Sequence, residues 1–180
     1  MRAFPSSLRT TRLTLRLPGD DEARVEHEMI LESLDHLWPW FSFRADPPTA
    51  ADRVALAARH RADAAAGRGV TYVVFAGETA VGKVWIELEG STARMGWYLR
   101  AAATGLGYGT EAVRALSHLA VESGVDRVEA HTDPENTASR ALAERAGFIL
   151  EEIRPDAYDR PDGLRRPECI YVLDNRRVPG

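Results

Sequence analysis

The sequence has little of several residue types, and each shortage excludes a class of protein. Cys169 is its only cysteine, so the chain supports neither a disulfide framework nor a cysteine metal cluster. Lys83 is its only lysine, and a net charge of -4 gives no basic surface that would hold nucleic acid. No stretch reaches the ~18 apolar residues that a membrane helix needs, and the first residues lack a signal-peptide apolar run. We therefore expect a cytoplasmic protein with no membrane or nucleic-acid partner.

Length and hydrophobic patterning predict one mixed α/β domain. The chain has 180 residues, of which 44% are hydrophobic, and it can bury one core but not comfortably two. Its segments alternate between period two and helical spacing in the order strand, two helices, three strands, helix, strand, helix and two strands. The last two strands are predicted over 148–153 and 168–174, with a polar loop between them. The domain is predicted to span residues 1–175, followed by a flexible tail at 176–180.

The stretch "ATGLGYGTEA", residues 103–112, contains three alternating glycines, Gly105, Gly107 and Gly109, just before a predicted helix. The first amides of a helix lack intrahelical acceptors and form the positive end of its dipole, so this entry favours an anion site. A dinucleotide fingerprint is disfavoured because Thr110 stands where its last glycine belongs, and no nearby lysine supplies a P-loop. From spacing alone, a pyrophosphate cradle of another type and a plain strand-to-helix turn both stay open.

Two stretches carry a resemblance to a known family. "TGLGYGTEAVRAL" resembles the acetyl-CoA-binding signature of the GNAT acetyltransferases, Q/R-x-x-G-x-G/A, with Thr104 in the slot that glutamine or arginine usually fills. "DPENTASRALAERAGF", residues 133–148, resembles the second signature of the family. The opening "TTRLTLRLP" and the aromatic "LWPWFSF" are similar to the RimJ/RimL type, which acetylates ribosomal-protein amino termini and other amines. The resemblance implies a single GNAT domain of about seven strands and four helices, with a mixed, mostly antiparallel sheet that splays at the cofactor site.

The resemblance also implies acetyl-CoA as the co-substrate and assigns its contacts. The pantetheine would lie between two splayed strands, around "GWYLR" and "RVEAHT", and the pyrophosphate on the main chain of the glycine stretch. The acetyl carbonyl would accept a hydrogen bond from a main-chain N–H near Tyr98 to Arg100, as in an oxyanion hole. Glu111, in the first helical turn, is expected to point away from the phosphates. The implied cofactor-binding residues are Leu99, Arg100, Thr104, Gly105, Leu106, Gly107, Tyr108, Gly109, Thr110, Asn136 and Ser139.

Two proton movements accompany acetyl transfer, and the first concerns the thiolate that leaves. Many family members protonate it with a tyrosine seven residues after the signature asparagine, but that position, counted from Asn136, is Ala143. The RimJ/RimL type often has a serine three residues after this asparagine, so the resemblance assigns the acid role to Ser139. A water is the alternative acid, since a thiol of pKa about 8.5 is a tolerable leaving group. A surface position on a short helix is the other interpretation of Ser139.

The second proton movement is loss of a proton from the attacking amine. An α-amine of pKa ~7.7–8.0 is about a tenth neutral at pH 7 and needs little more than positioning, whereas a lysine-like amine of ~10.4 needs a base. Glu87 is the first candidate base, although Glu87 and Glu89 equally suit the solvated face of a strand. His131, near the expected cleft, is interpreted as a structural histidine. The remaining candidate bases are Glu129, Asp156 and Asp159.

A group of aromatic residues indicates where the acceptor amine would bind. Trp38, Trp40, Phe41 and Phe43 fall within six residues, and they could line the acceptor site, pack as a lid or form a dimer contact. Tyr158 could shape the acceptor pocket. The sequence therefore predicts an N-acetyltransferase acting on a protein amino terminus or a small-molecule amine. The alternative is a non-catalytic acyl-CoA-binding module, and a homodimer is expected only by analogy with the family.

Overall fold

The structure is a computed structural model that describes residues 4–41, 47–159 and 165–174. Within these residues, eight strands form one sheet and five α-helices cover it. The strands β1 to β8 are Ser7–Arg9, Thr14–Arg16, Gly69–Ala76, Thr79–Glu89, Thr92–Leu99, Arg127–Thr132, Ile149–Asp159 and Arg165–Asp174. The helices α1 to α5 are Asp20–Glu32, Leu34–Leu37, Ala50–Ala65, Tyr108–Glu122 and Thr137–Ala146. The predicted tail at 176–180 lies outside the described residues.

The sheet is mixed and mostly antiparallel, as predicted. Its strand order is β1-β2-β3-β4-β5-β6-β8-β7, and β5 and β6 are its one parallel pair among the described residues. The strand count exceeds the predicted seven because β1 is only three residues long, too short for a period-two pattern to reveal. The helix count exceeds the predicted four because the first helix stops at Ser33 and a short second helix follows.

The predicted polar loop between the last two strands is largely strand, which corrects the sequence interpretation. β7 extends to Asp159 and β8 begins at Arg165, so the two form a long hairpin. Pro155 is tolerated because β7 is the edge of the sheet. Pro167 is tolerated because β6 pairs with β8 only from Cys169 onward, which leaves the start of β8 with one neighbour.

Two layers of apolar side chains hold the helices on opposite faces of the sheet. Alternate residues of β3 divide between them, since Tyr72 and Val74 pack in the larger cluster and Val73 and Phe75 in the smaller one. The larger cluster contains the apolar face of α4, and the smaller one receives α1 and α2. None of the described helices is long and apolar enough to cross a membrane.

A charged group is buried on the face that α1 covers. The Glu26 side chain on α1 is 2% exposed, and its Oε1 accepts hydrogen bonds from Lys83 Nζ at 2.9 Å and from Tyr98 Oη at 2.6 Å. Arg53 Nη1 lies 3.6 Å from the same oxygen. Burial alone raises the pKa of Glu26, but Lys83, Tyr98 and Arg53 outweigh it and lower that pKa below its ordinary value. The only lysine of the chain therefore ties β4 to α1.

We predict that breaking this buried pair on one side is more damaging than removing both charges. Glu26→Leu leaves the Lys83 ammonium buried without its carboxylate, which costs roughly 3–5 kcal/mol of unfolding free energy, whereas Glu26→Leu/Lys83→Met recovers much of that loss. Urea denaturation of the wild type, both single variants and the double variant measures the coupling. Single variants that each cost under about 1 kcal/mol would contradict the assignment. Because the pKa of Glu26 is lowered in the fold, its contribution is full above ~4.3, the unfolded value, and is lost as pH falls below that value.

Candidate functional site

The sheet opens between β5 and β6. The two strands pair only from Thr92 to Met95, whereas β5 stays paired with β4 as far as Leu99. Arg100 N donates to Val81 O at 2.9 Å, so by the alternation of an antiparallel ladder the amides of Tyr98 and Arg100 face β4. The amide of Leu99 faces the opposite way, into the opening.

This alternation distinguishes the three residues of the predicted range 98–100. The amide of Tyr98 cannot serve a ligand in the opening, because it faces β4, and the available donor within the predicted range 98–100 is Leu99. The Tyr98 hydroxyl is also engaged, since it donates to Glu26 in the buried cluster. The Arg100 guanidinium binds Glu32 and the Ala80 carbonyl, on the side of β4.

The three alternating glycines have two different structural reasons. Gly105 and Gly107 have φ angles of 76° and 79°, which residues with a Cβ rarely adopt, and Gly107 is the N-cap of α4. A Cβ at Gly105 would meet no atom within 4 Å, so space beside this loop is free. Gly109 instead allows close packing, because its Cβ would lie 2.5 Å from Leu142 Cδ1. Only the first two glycines therefore shape a main-chain cradle.

Arg12, which the sequence interpretation did not single out, braces this loop from the turn after β1. Its Nη1 donates to Leu106 O at 2.9 Å, its Nε to Glu111 Oε2 at 2.7 Å, and its guanidinium lies 5.0 Å from the Tyr108 ring centroid. Burial raises the pKa of Glu111, but hydrogen bonds from Thr10 and Arg12 outweigh it and lower that pKa. The acidic residue of the first helical turn is thus neutralised by a cation. The Thr104 hydroxyl donates to Ala101 O at 2.9 Å, within its own turn.

A cavity of about 320 Å³ connects the glycine loop with the opening of the sheet, and we call it the donor cavity. Asn136 caps α5 by accepting a hydrogen bond from Ser139 N at 3.0 Å, which places both residues on its wall. Ala143, where a tyrosine is common in the resembling family, is fully buried. The donor cavity is lined by residues that include Trp40, Phe41, Trp97, Tyr98, Leu99, Thr104, Gly105, Asn136, Ser139, Leu142 and Arg145.

A second cavity of about 260 Å³ shares the wall of Asn136 and Ser139 with the donor cavity, and we call it the acceptor chamber. Trp40 and Phe41 line it as predicted. Trp85 and Trp97 complete its aromatic wall, and Gly96 permits this because a Cβ there would lie 2.2 Å from the Trp85 ring. The full lining is Trp40, Phe41, Trp85, Arg94, Met95, Gly96, Trp97, His131, Thr132, Asn136, Ser139 and Glu168.

A third cavity, of about 580 Å³, lies on the other side of Phe41 and Trp85, and we call it the side cavity. Glu87 and Glu89 lie here and not in the acceptor chamber, and both are exposed. Its wall also contains Lys83 and His60, and burial, assisted by Lys83, lowers the pKa of His60 to about 4. Phe41 lines all three cavities and marks the point where they meet.

A carboxylate–imidazole–carboxylate cluster closes one end of the acceptor chamber. His131 Nε2 lies 3.0 Å from Glu129 Oε2, and His131 Nδ1 lies 3.0 Å from Glu168 Oε2. Glu129 also binds Arg127 Nε at 2.7 Å, and these contacts lower the pKa of Glu129 although burial raises it. Sequence reasoning missed Glu168, which meets His131 only because β6 and β8 pair in this register.

The remaining predicted residues are distributed as follows. Trp38 follows α2, is half-buried and lines none of the three cavities. Phe43 lies outside the described residues. Tyr158, Asp156 and Asp159 lie in β7, not in a loop, and their side chains are outside the part of the chain that the structure describes. Their predicted roles stay predictions.

Comparison with known proteins identifies the family and the fold of the chain. Residues 12–149 match the family model described as acetyltransferase (GNAT) domain. Three solved structures share the fold. The microcin C7 self-immunity acetyltransferase MccE, with acetyl-CoA and AMP, is 22% identical over 96% of this chain and 98% of that one, with a TM-score of 0.88. The ribosomal L7/L12 α-N-protein acetyltransferase RimL, with coenzyme A, is 20% identical over 92% and 95% of the two chains (TM-score 0.84), and a protein from Vibrio cholerae named as a ribosomal-protein-serine acetyltransferase is 27% identical over 93% and 97% (TM-score 0.76). No curated protein sequence matches the chain.

Two glycines with the same backbone strain offer a matched test of the cradle. Gly105 and Gly90 both have positive φ, 76° and 64°, and a Cβ at either would meet nothing within 4 Å. Valine in this conformation costs about 1–2 kcal/mol at either site. We predict that Gly105→Val raises the Kd for acetyl-CoA by about 5–30-fold and that Gly90→Val, in the β4–β5 turn, leaves it unchanged. Equal Kd values for the two variants, measured by calorimetry, would contradict the cradle.

Proposed function

We propose that this chain, which belongs to the GNAT acetyltransferase family, is an acetyl-CoA-dependent N-acetyltransferase of RimJ/RimL type and that its acceptor is the α-amine at the start of a protein chain. The observation that carries the proposal is the junction at Phe41, where a donor cavity and a small acceptor chamber share the wall of Asn136 and Ser139. Acetyl-CoA supplies an activated acetyl thioester, and the residues around the junction supply its orientation and the proton movements.

The donor side fits the phosphates and the pantetheine of this co-substrate. The amides of 108–110 begin α4 and have no intrahelical acceptors, which suits a pyrophosphate. Gly105 leaves the main chain accessible, whereas a Cβ at Gly107 would lie 3.2 Å from Arg12 Nη2, and this guanidinium offsets the charge of Glu111 nearby. The open edge of β5 offers main-chain groups to the amide-bearing pantetheine. We assign the predicted cofactor contacts accordingly, with Gly109 acting through packing and without Arg100, whose amide and guanidinium both face β4.

The size of the acceptor chamber favours the end of a chain. Its volume of about 260 Å³ lies below the roughly 300–1,000 Å³ of sites that enclose a drug-sized ligand. One or two small residues of an amino terminus fit such a space, and the rest of the polypeptide remains outside. RimL and the Vibrio cholerae protein, named for acetylation of ribosomal proteins, share the fold. A cytoplasmic location is part of the same proposal.

The residues at the junction suit the two ends of the acetyl transfer. The Leu99 amide faces the opening and donates to the carbonyl oxygen, where negative charge develops as the amine attacks. Ser139 lies on the wall that both cavities share and donates its hydroxyl proton towards the sulfur that leaves. Ala143 stands at the position where a tyrosine often acts as the acid, and it offers no acidic group. It therefore does not compete with Ser139 for protonation of the thiolate.

Small-molecule amines are the second candidate class of acceptor. The observation in their favour is the wall of Trp40, Phe41, Trp85 and Trp97, since flat aromatic ligands pack well against such residues. MccE, whose structure contains AMP beside acetyl-CoA, has the same fold. A shared panel of acceptors therefore separates the two classes.

We predict that short peptides with a free α-amine and a small first residue are acetylated, and that the same peptides with a blocked amino terminus and an internal lysine are not. Thiol release measures the rate, and mass spectrometry locates the acetyl group. Acetylation of small aromatic amines alone would contradict the protein acceptor. No thiol release with any amine, despite acetyl-CoA binding, would favour the non-catalytic module.

Ser139→Ala is predicted to lower kcat by about 10²–10³-fold while leaving the Kd for acetyl-CoA unchanged, because it removes only a proton donor. Thr137→Ala is the matched control, since this hydroxyl lies in the same first turn of α5 but is exposed and lines none of the three cavities. A wild-type kcat for Ser139→Ala would transfer the acid role to water.

A further inference from the structure

The cluster of Glu168, His131 and Glu129 extends from the acceptor chamber to the partly exposed carboxylate of Glu129. Glu168 and His131 line the chamber itself, beside Ser139. Glu129 does not line it, and its carboxylate binds Arg127, which also binds the half-exposed Glu151 at the surface. We propose that Glu168 binds the ammonium of the acceptor and takes its proton, and that His131 and Glu129 carry this proton to the surface. This inference rests on the proposed acetyltransfer.

The geometry fixes how protons are held in the cluster. Each ring nitrogen of His131 lies 3.0 Å from a carboxylate oxygen, so each contact can hold one hydrogen between the two atoms. With one hydrogen in the cluster, on Nε2 toward Glu129, Nδ1 is open to accept the proton that Glu168 takes from the ammonium. Imidazole is the one side chain that accepts a proton at one ring atom and releases another at the second, so the contacts form a continuous relay.

The charges around the cluster favour a cation at Glu168. Arg127 on β6 shares the charge of Glu129, whereas His131 is the only partner recorded for Glu168 among the described residues. Arg94 on β5 is the other charged residue of the chamber wall, and it is exposed. The ammonium of the acceptor supplies the positive charge that forms an ion pair with Glu168.

The aromatic wall adds to this preference. Trp85, Trp97 and Phe41 face the same small space, and aromatic faces attract an ammonium within about 6 Å of the ring centroid. The site therefore favours primary amines that arrive protonated, which for the proposed acceptor means the α-ammonium of a peptide. The site thus binds the protonated amine itself and does not depend on the small neutral fraction of the amine.

The proton balance of the reaction is complete with these groups. The ammonium gives one proton to Glu168, and one passes from Glu129 to water through the relay. The neutral amine forms the C–N bond to the acetyl carbon, the C–S bond breaks, and its electron pair leaves on sulfur. As the amide forms, the second proton of the amine nitrogen passes to Ser139, which gives its own hydroxyl proton to the thiolate. The net reaction converts an ammonium and a thioester into an amide, a thiol and one released proton.

Glu168→Gln tests the proposal, because an amide keeps the size of the side chain and can still accept a hydrogen bond from His131 but cannot take a proton. We expect kcat at pH 7 and saturating substrates to fall by about 100-fold or more. The kcat of the variant should then rise about tenfold per pH unit until the bound amine loses its proton unaided, whereas the wild type changes little over that range. His131→Asn, which interrupts the relay, should show a smaller loss with the same recovery at high pH.

Glu152→Gln is the matched control, since this carboxylate lies on the neighbouring strand β7, pairs with Arg154 and is outside the chamber. A wild-type pH profile for Glu168→Gln, or a loss of equal size at every pH, would overturn the proposal, as would the loss appearing in Glu87→Gln instead. Turnover of simple primary amines but not of peptides rejects only the proposed acceptor class, and Glu168 is then tested with those amines. Absence of turnover with any amine contradicts both inferences.

Discussion

The end of pairing between β5 and β6 after Met95 is the constraint on which the rest of the site depends. A strand with an unpaired edge in the middle of a sheet leaves main-chain donors and acceptors without partners, and buried groups of this kind are costly. β5 keeps its shape because β4 pairs with it as far as Leu99. The fold thus holds open a set of hydrogen-bonding groups, which we propose that a bound pantetheine satisfies.

The two faces of the sheet have different roles. On one face α4 begins at the glycine loop, and Gly105 of this loop and Leu99 at the open edge of β5 both line the donor cavity. On the other face α1 is fixed to β4 by the buried contact between Glu26 and Lys83, which also holds Tyr98 beneath Phe41. Because Phe41 lines all three cavities, the buried charge stabilises the wall that separates them. Structural stability and the shape of the acceptor side are therefore linked through Tyr98.

Local signals made part of this architecture predictable. The glycine stretch and the second signature each lie within about sixteen consecutive residues, and turn geometry, helix capping by Asn136 and the cradle follow from such short-range patterns. The reason for Gly109 was not readable, because it concerns contact with Leu142 on another helix. The direction of the Tyr98 amide likewise depends on the register with β4, which the sequence of β5 alone does not contain.

Contacts between distant strands account for the remainder. Glu168 belonged to no motif, and it reaches His131 only through the pairing of β6 with β8. The sequence interpretation gave a loop between residues 153 and 168 because of the prolines and charges there, which an edge strand tolerates. In the sequence, Trp85 and Trp97 look like ordinary strand residues. Only the structure shows that the space beside Gly96 lets the Trp85 ring lie in the wall of the acceptor chamber.

Residue-resolved amide hydrogen exchange with and without coenzyme A tests most directly the claim that the open edge of β5 holds the co-substrate. The account predicts that the Leu99 amide exchanges rapidly in the free protein and at least about tenfold more slowly when coenzyme A saturates it. The amides of Tyr98 and Arg100, which face β4, should be protected in both states. A Leu99 amide that is already protected without ligand, or one that coenzyme A leaves unchanged, would contradict it.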